Sequence, residues 1–375
     1  MKIVLLAGAD SIHTVQWVNR LASIGHEVFL ISQHTSSNLI SEDVKVHILK
    51  NRGVLGYFLM VPKVRKLISN INPDIINAHY ASGYGTTARL INFHPYLLSV
   101  WGSDVFIFPK KSFLHKLLIR NNILSADLVA STSQAMAGQV LKIVPELKNI
   151  SITPFGVNIE EFKICENDEL INHNTLTIGT IKSMNFIYGI DILLEAFSIL
   201  IGLLKNNNDF ANIEVKLRLV GGGEHLGQFK QLAFKLGIEN SVEFVGPIRH
   251  SDVPQELSKF DVFVALSRSE SFGVAVIEAG AAGKPVVVTD VGGLPEVVIP
   301  NKTGIIVKKN NPLDAAKAIE KLLINYELRK LMGNNAQEYI SNTYSWDICL
   351  NKMIVTYNQT IQLHNNNNQL VKLLN

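Results

Sequence analysis

MKIVLLAGADSIHTVQWVNRLASIGHEVFLIS, residues 1–32, reads as a strand, a turn, a helix and a second strand. Residues 2–7 (KIVLLA) form the unbroken apolar run of a strand buried on both faces of a parallel sheet. A helix is expected over Thr14–Ile24, ended by Gly25-His26, and Glu27–Ser32 returns as the next strand. The apolar run is too short for a secretory segment, and Asp10 and His13 interrupt it, so it is read as a strand and not as a leader. In the connecting loop, Gly8 permits a tight turn and the close approach of a ligand. Asp10 or Ser11 is placed to cap the helix, and His13 is placed to touch a ligand.

The same alternation continues outward. Asp74–Asn77 and Tyr96–Val100 read as short buried strands followed by polar or glycine-bearing turns. Residues 163–174 (KICENDELINHN) are polar and aperiodic, the best linker candidate. Beyond them Thr175–Gly179, Val215–Val220, Val242–Val245, Val262–Leu266, Pro285–Thr289 and Gly304–Val307 read as strands again. The chain is therefore expected to be α/β, with two doubly wound parallel-sheet domains. The expected divisions are 1–162, a linker at 163–174, 175–345, and a final helix and tail at 346–375 packing back toward the first domain. The stretch 364–368 (HNNNN) is low in complexity and reads as a solvated or disordered tail.

At 375 residues the chain exceeds what one core usually organises. Its 47% hydrophobic and 18% charged residues suit a well-buried α/β protein. Two cysteines, Cys165 and Cys349, lie far apart and in no metal-like spacing, which argues against a disulfide scaffold or a zinc site and fits a reducing compartment. No stretch of about 18 apolar residues is present, so no membrane span is expected. Net charge is +3 but uneven: residues 1–158 carry 15 Lys and Arg against 8 Asp and Glu, the remainder 20 against 24. A basic first half and an acidic second half imply different partners.

SRSESFGVAVIEAGAAGKP, residues 267–285, carries the chemistry. A strand precedes it, and a helix is expected from Gly273 to Ala282, with Gly283 as its left-handed stop and Pro285 beyond. Glu270 precedes the helix and Glu278 lies within it, separated by roughly 10–12 Å along the axis at the helical rise. That is too far for two groups acting on one atom, and suits gripping two parts of a long ligand. Between them the amides of Gly273 and Val274 offer an anion site at a helix N-terminus. A diphosphate flanked by two hydroxyl-bearing rings, a nucleotide sugar, fits that layout.

Glu270-Ser-Phe-Gly-Val-Ala-Val-Ile-Glu278 resembles the E-x7-E motif of retaining family-4 glycosyltransferases with the GT-B fold, also called glycosyl transferases group 1. The likeness extends over Ala279–Glu296, Thr303-Gly304, Leu219–Glu224, Phe244-Val245-Gly246 and Pro154–Asn158, and so over nearly the whole chain. It implies two Rossmann-like domains facing a central cleft and transfer from a nucleotide diphosphate-sugar, a UDP-sugar being favoured, without a bound metal. Glu278 would hold the donor ribose and Glu270 the transferred sugar. The backbone at Phe272, Gly273 and Val274 would hold the diphosphate, and Pro247 and Ile248 would contact the base. No D-x-D pair for a diphosphate-bound divalent ion occurs in the chain, in agreement.

The chain departs from the family pattern in two places. Thr180 occupies the position where an Arg is usual and Tyr188 one where a Lys is common, which leaves Lys182 for the phosphates. In Ser99–Asp104, Trp101 stands where a His is usual; it can stack on a sugar face but cannot shuttle a proton. Asp104 and His79 are then the acceptor-side candidates, each with a competing structural role, as a cap and as a buried histidine. No side chain reads as a nucleophile, so front-face displacement assisted by the leaving phosphate is expected.

The resemblance implies a glycan or lipid-linked acceptor in cell-surface polysaccharide, lipopolysaccharide or glycolipid assembly, a cytoplasmic location and no nucleic-acid partner. Residues 109–120 mix Lys110, Lys111, Lys116 and Arg120 with an apolar helical face, compatible with peripheral docking on anionic lipid. The competing readings are a GT-B nucleotide-sugar epimerase, a non-catalytic sugar-binding relic, and a dinucleotide oxidoreductase suggested by Gly221-Gly222-Gly223. The last lacks the full glycine fingerprint.

Overall fold

A computed structural model describes residues 1–50, 53–163, 175–205, 210 and 212–374. Most of the linker read at 163–174 therefore lies outside the described residues. The chain divides into two compact units: Met1–Phe155 with Cys349–Asn375, and Gly156–Ile348.

In the first unit the strands are β1 (Lys2–Leu6), β2 (Glu27–Ser32), β3 (Lys45–Ile48), β4 (Ile75–His79), β5 (Tyr96–Val100), β6 (Leu128–Ser131) and β7 (Ile150–Ile152). They form one parallel sheet in the order β3-β2-β1-β4-β5-β6-β7. The second unit contains β8 (Thr175–Ile181), β9 (Glu214–Val220), β10 (Val242–Gly246), β11 (Val262–Ala265), β12 (Val286–Thr289) and β13 (Gly304–Val307). Its order, β10-β9-β8-β11-β12-β13, is parallel throughout. Both are Rossmann-like sheets with helices as crossovers.

The central strands are apolar along their whole length because helices cover both faces of a parallel sheet. Every residue of β4, β5, β11 and β12 is buried. Met60, Val64, Ile68, Ile119 and Met136 pack helices onto the first sheet, and Leu193, Phe197, Phe229, Ile319 and Leu322 do so in the second. Residues 1–32 form β1, the helix Ile12–Ser23 and β2, so that helix begins two residues before the expected start. Ser11 stands at its N-cap position without a side-chain bond to the helix.

The tail corrects one expectation. Residues 364–368 are helical, within a helix spanning Trp346–Leu374. Asparagine is a poor helix former, but tertiary contacts override propensity. Within the first unit, Asn77 Nδ2 donates to the buried Tyr357 hydroxyl at 3.0 Å, and the buried Cys349 Sγ lies 3.6 Å from the carbonyl of Phe155.

Candidate functional site

In each sheet the strand order reverses next to the first strand of the unit, between β1 and β4 and between β8 and β11. Ligands of doubly wound sheets bind beyond the carboxyl ends of the strands at such a reversal.

In the second unit β8 delivers Lys182, and β11 delivers the loop that holds Glu270. Lys182 Nζ donates to Glu270 Oε2 at 2.6 Å, with only 11% and 13% of the two side chains exposed. Ser267 Oγ lies 3.4 Å from the same oxygen, and Lys182 Nζ sits 5.2 Å from the Tyr188 ring centroid. Glycines set this geometry. The turn at Gly292 (φ +56°) lies so close to the loop that a Cβ there would fall 1.8 Å from the Glu270 carbonyl oxygen. That carbonyl accepts from the Gly293 amide at 3.1 Å.

The helix after the loop is Val274–Ala281, with Gly273 at its N-cap (φ +110°) and no side chain capping it. Its first amides are thus left to an incoming anion. A Cβ at Gly273 would also meet Leu294 Cδ2 at 2.9 Å. Phe272 packs its buried ring edge-on against Tyr344 at 5.6 Å, so only its main chain can serve a ligand. Glu278, buried within the helix, hydrogen-bonds His250 Nε2 through Oε1 at 3.1 Å. This bond, helped by the charge of Glu161 and opposed by burial, raises the His250 pKa above its ordinary value. His250 is therefore an imidazolium below that raised pKa and a neutral imidazole above it. His250 follows the loop bearing the exposed Pro247 and half-buried Ile248, which starts where the Gly246 carbonyl accepts from Gly221.

Thr180 is buried within β8. Arg268 is committed elsewhere, with a two-pronged bond to Asp191 (2.7 Å each) and one to the Phe186 carbonyl. Lys182 is thus the cation that the second unit places beside Glu270.

In the first unit Gly8 follows β1, and His79 ends β4. His79 is 1% exposed, its Nδ1 has no hydrogen-bond partner among the described residues, and burial pushes its pKa down to about 3. It stays neutral through the physiological range. Its ring lies 4.1 Å from that of Trp101, which also packs against Tyr80, Phe155 and His13. His13 stacks on Phe155 at 4.3 Å. Tyr80, at φ +67°, opens a π-helical turn, Tyr80–Tyr84. Such turns and strained residues gather at functional sites.

Asp104 stands differently from its reading as an acceptor-side carboxylate. It is 1% exposed; Oδ2 accepts from the Ala81 amide at 2.8 Å and Oδ1 from Gly102 and Trp101 at 2.8 and 3.3 Å. Its carboxylate ties the loops after β4 and β5 together, a positioning role.

The family model "Glycosyl transferases group 1" matches residues 162–339, and "Glycosyl transferase 4-like" matches residues 2–133. The two matches together span most of the chain, and the protein is a glycosyltransferase. An uncharacterised glycosyltransferase of Methanocaldococcus jannaschii is 29% identical over 351 residues, covering 92% of each chain. Among solved structures, sucrose-phosphate synthase from Thermosynechococcus elongatus superposes with a TM-score of 0.82 at 19% identity, over 96% of this chain and 98% of that one. Anabaena HepE in complex with UDP-glucose superposes at 0.75 and 20% identity, over 96% and 98%. These two likenesses establish the GT-B fold, and the family matches make the protein a transferase.

For this glycosyltransferase, reading the sequence missed His250 and the clamping role of Gly292-Gly293. The glycine pair stood within the stretch Ala279–Glu296 that carries the resemblance, and two adjacent glycines after a strand were the available signal. Nothing local marks His250, because only the fold brings it to Glu278.

Proposed function

We propose that the protein is a retaining glycosyltransferase that moves a sugar from a nucleotide diphosphate-sugar, a UDP-sugar being favoured, to a glycan or lipid-linked acceptor. The observation that carries this reading is the Lys182–Glu270 pair beside an uncapped helix N-terminus, with Glu278 about one turn further along the same helix. Departure of the nucleoside diphosphate concentrates negative charge, and fixed donors lower the barrier by meeting it. Lys182 and the amides of Gly273 and Val274 supply those donors without a divalent ion. Glu270 accepts from hydroxyls of the transferred sugar and Glu278 from the ribose, while Pro247 and Ile248 flank the base. His79 and the aromatic group around Trp101 serve the acceptor side, and Gly8 permits the close approach of a ligand. The reaction proceeds by front-face displacement, and the pathway is cell-surface polysaccharide, lipopolysaccharide or glycolipid assembly.

Release of nucleoside diphosphate from UDP-, GDP- and ADP-sugars, with and without lipid extract, tests this. Acceptor-dependent release, greatest with a UDP-sugar, is expected. Donor conversion without any acceptor would point to an epimerase, and binding without turnover to a relic.

The proposal includes peripheral attachment to an anionic membrane in the cytoplasm. Among the described residues no helix is long and apolar enough to cross a membrane. The helix Phe113–Leu124, capped by Ser112, leaves Phe113 77% and Leu114 72% exposed beside Lys110, Lys111 and Lys116. Apolar side chains next to cations suit an interface of acyl chains and anionic headgroups. Sedimentation with vesicles is expected to require anionic lipid, and to weaken about tenfold when Phe113 and Leu114 become serine, two large apolar groups being lost from the interface. Binding indifferent to lipid charge would end this part of the proposal.

A further inference from the structure

His94, Asp127 and His364 meet in the first unit although they come from three separate elements: the turn before β5, the residue preceding β6, and the terminal helix. Their ligand atoms all lie within 4.8 Å of one another. His94 Nδ1 is 2.7 Å from Asp127 Oδ2, His364 Nδ1 is 3.5 Å from Oδ1, and the two imidazole rings are parallel within 7° at 5.6 Å. Each histidine thus addresses a different oxygen of one carboxylate.

We propose that these residues form a binding site for a divalent transition-metal ion of the zinc class, which fastens the terminal helix to the first unit. Two imidazole nitrogens and a carboxylate oxygen are donors that zinc accepts, at about 2.0–2.2 Å each. Tetrahedral ligands then stand roughly 3.3 Å apart, so closing on an ion needs side-chain adjustment and no refolding. The carboxylate is already oriented, because Asp127 Oδ2 accepts from the Tyr96 amide at 2.6 Å while only 8% of the side chain is exposed. Outer hydrogen bonds of this kind aim a metal ligand. The histidines keep 31% and 23% exposure, which leaves an entry path and room for water as the remaining ligand. The donor residues Lys182, Glu270 and Glu278 belong to the other unit, so the ion's role is structural and separate from sugar transfer.

The test uses the full chain, with any affinity tag removed, stripped with EDTA and titrated calorimetrically with zinc chloride. One ion per chain is expected, with a Tm increase of about 5 °C at a hundredfold excess over Kd and none with magnesium. His364→Gln is expected to lower zinc affinity at least about tenfold and to abolish the Tm increase, with the circular dichroism spectrum unchanged. Cobalt(II) added to the unaltered chain is an independent check that needs no variant: visible bands of a four-coordinate nitrogen–oxygen site are expected. No binding, equal binding by His364→Gln, or a six-coordinate cobalt spectrum would overturn the site, leaving a hydrogen-bonded His–Asp–His clamp.

Discussion

Glu270→Gln is expected to lower kcat/KM for sugar transfer at least about a hundredfold while changing the Kd for UDP less than about threefold. The carboxylate is held by Lys182 at 2.6 Å in a nearly closed setting. Hydrogen bonds to a charged group contribute about 1.5–3 kcal/mol, and removing one member of a buried pair costs about 3–5 kcal/mol, chiefly through the charge left behind. On the proposed reading both losses fall on the transferred sugar and on Lys182, and not on the nucleoside. Glu278→Gln is the opposite case, expected to weaken UDP binding directly. Lys182→Met with Glu270→Gln is expected to cost less than the two single changes together, because neither charge is then stranded. Steady-state rates combined with UDP calorimetry decide the matter. Transfer by Glu270→Gln within threefold of the unaltered enzyme would remove Glu270 from the site.

Gly292→Ala is expected to have the second-largest effect, and without touching a functional group. At φ +56° an L-residue costs about 1–2 kcal/mol, and the Cβ would sit 1.8 Å from the Glu270 carbonyl oxygen. The contact is with main chain, so the loop must move. The expected result is about 3 kcal/mol or more of lost stability, visible in urea unfolding, together with loss of transfer activity. Gly202→Ala is the control. It lies in the helix Ile190–Leu204 with nothing within 4 Å of the new Cβ, and is expected to stabilise by about 0.5–1 kcal/mol. Equal behaviour of the two variants would show that the turn does not clamp the loop.

Several features were legible along the chain because they are local. Apolar runs of four to seven residues marked most central strands, and the E-x7-E segment with its flanking glycines marked the helix that bears Glu278. Gly283 lies in the left-handed region, at φ +67°, where a helix stop was read. The edge strands β3 and β7 were not singled out; β3 is part exposed and β7 only half-buried, so neither carries a continuous apolar run. The asparagine-rich stretch at 364–368 was read as irregular, and its helix is sustained by neighbours that composition does not record.

The motifs of the sequence carry the resemblance to group 1 glycosyltransferases, and the sequence by itself determined that each half is a parallel α/β unit and that a glycine-capped helix bears Glu278 with Glu270 before it. These follow from periodicity and spacing within one or two elements, where the chain's own geometry sets which residues are neighbours. Only the tertiary structure decided what each charged or polar group meets. Lys182 reaches Glu270 across 88 positions, His250 reaches Glu278 across 28, and Asp104 is spent on the amides of Ala81 and Gly102. His364 arrives at Asp127 from the far end of the chain. Such pairings depend on the order in which strands enter the sheet, and strand order is settled by packing the whole core, not by any segment within it.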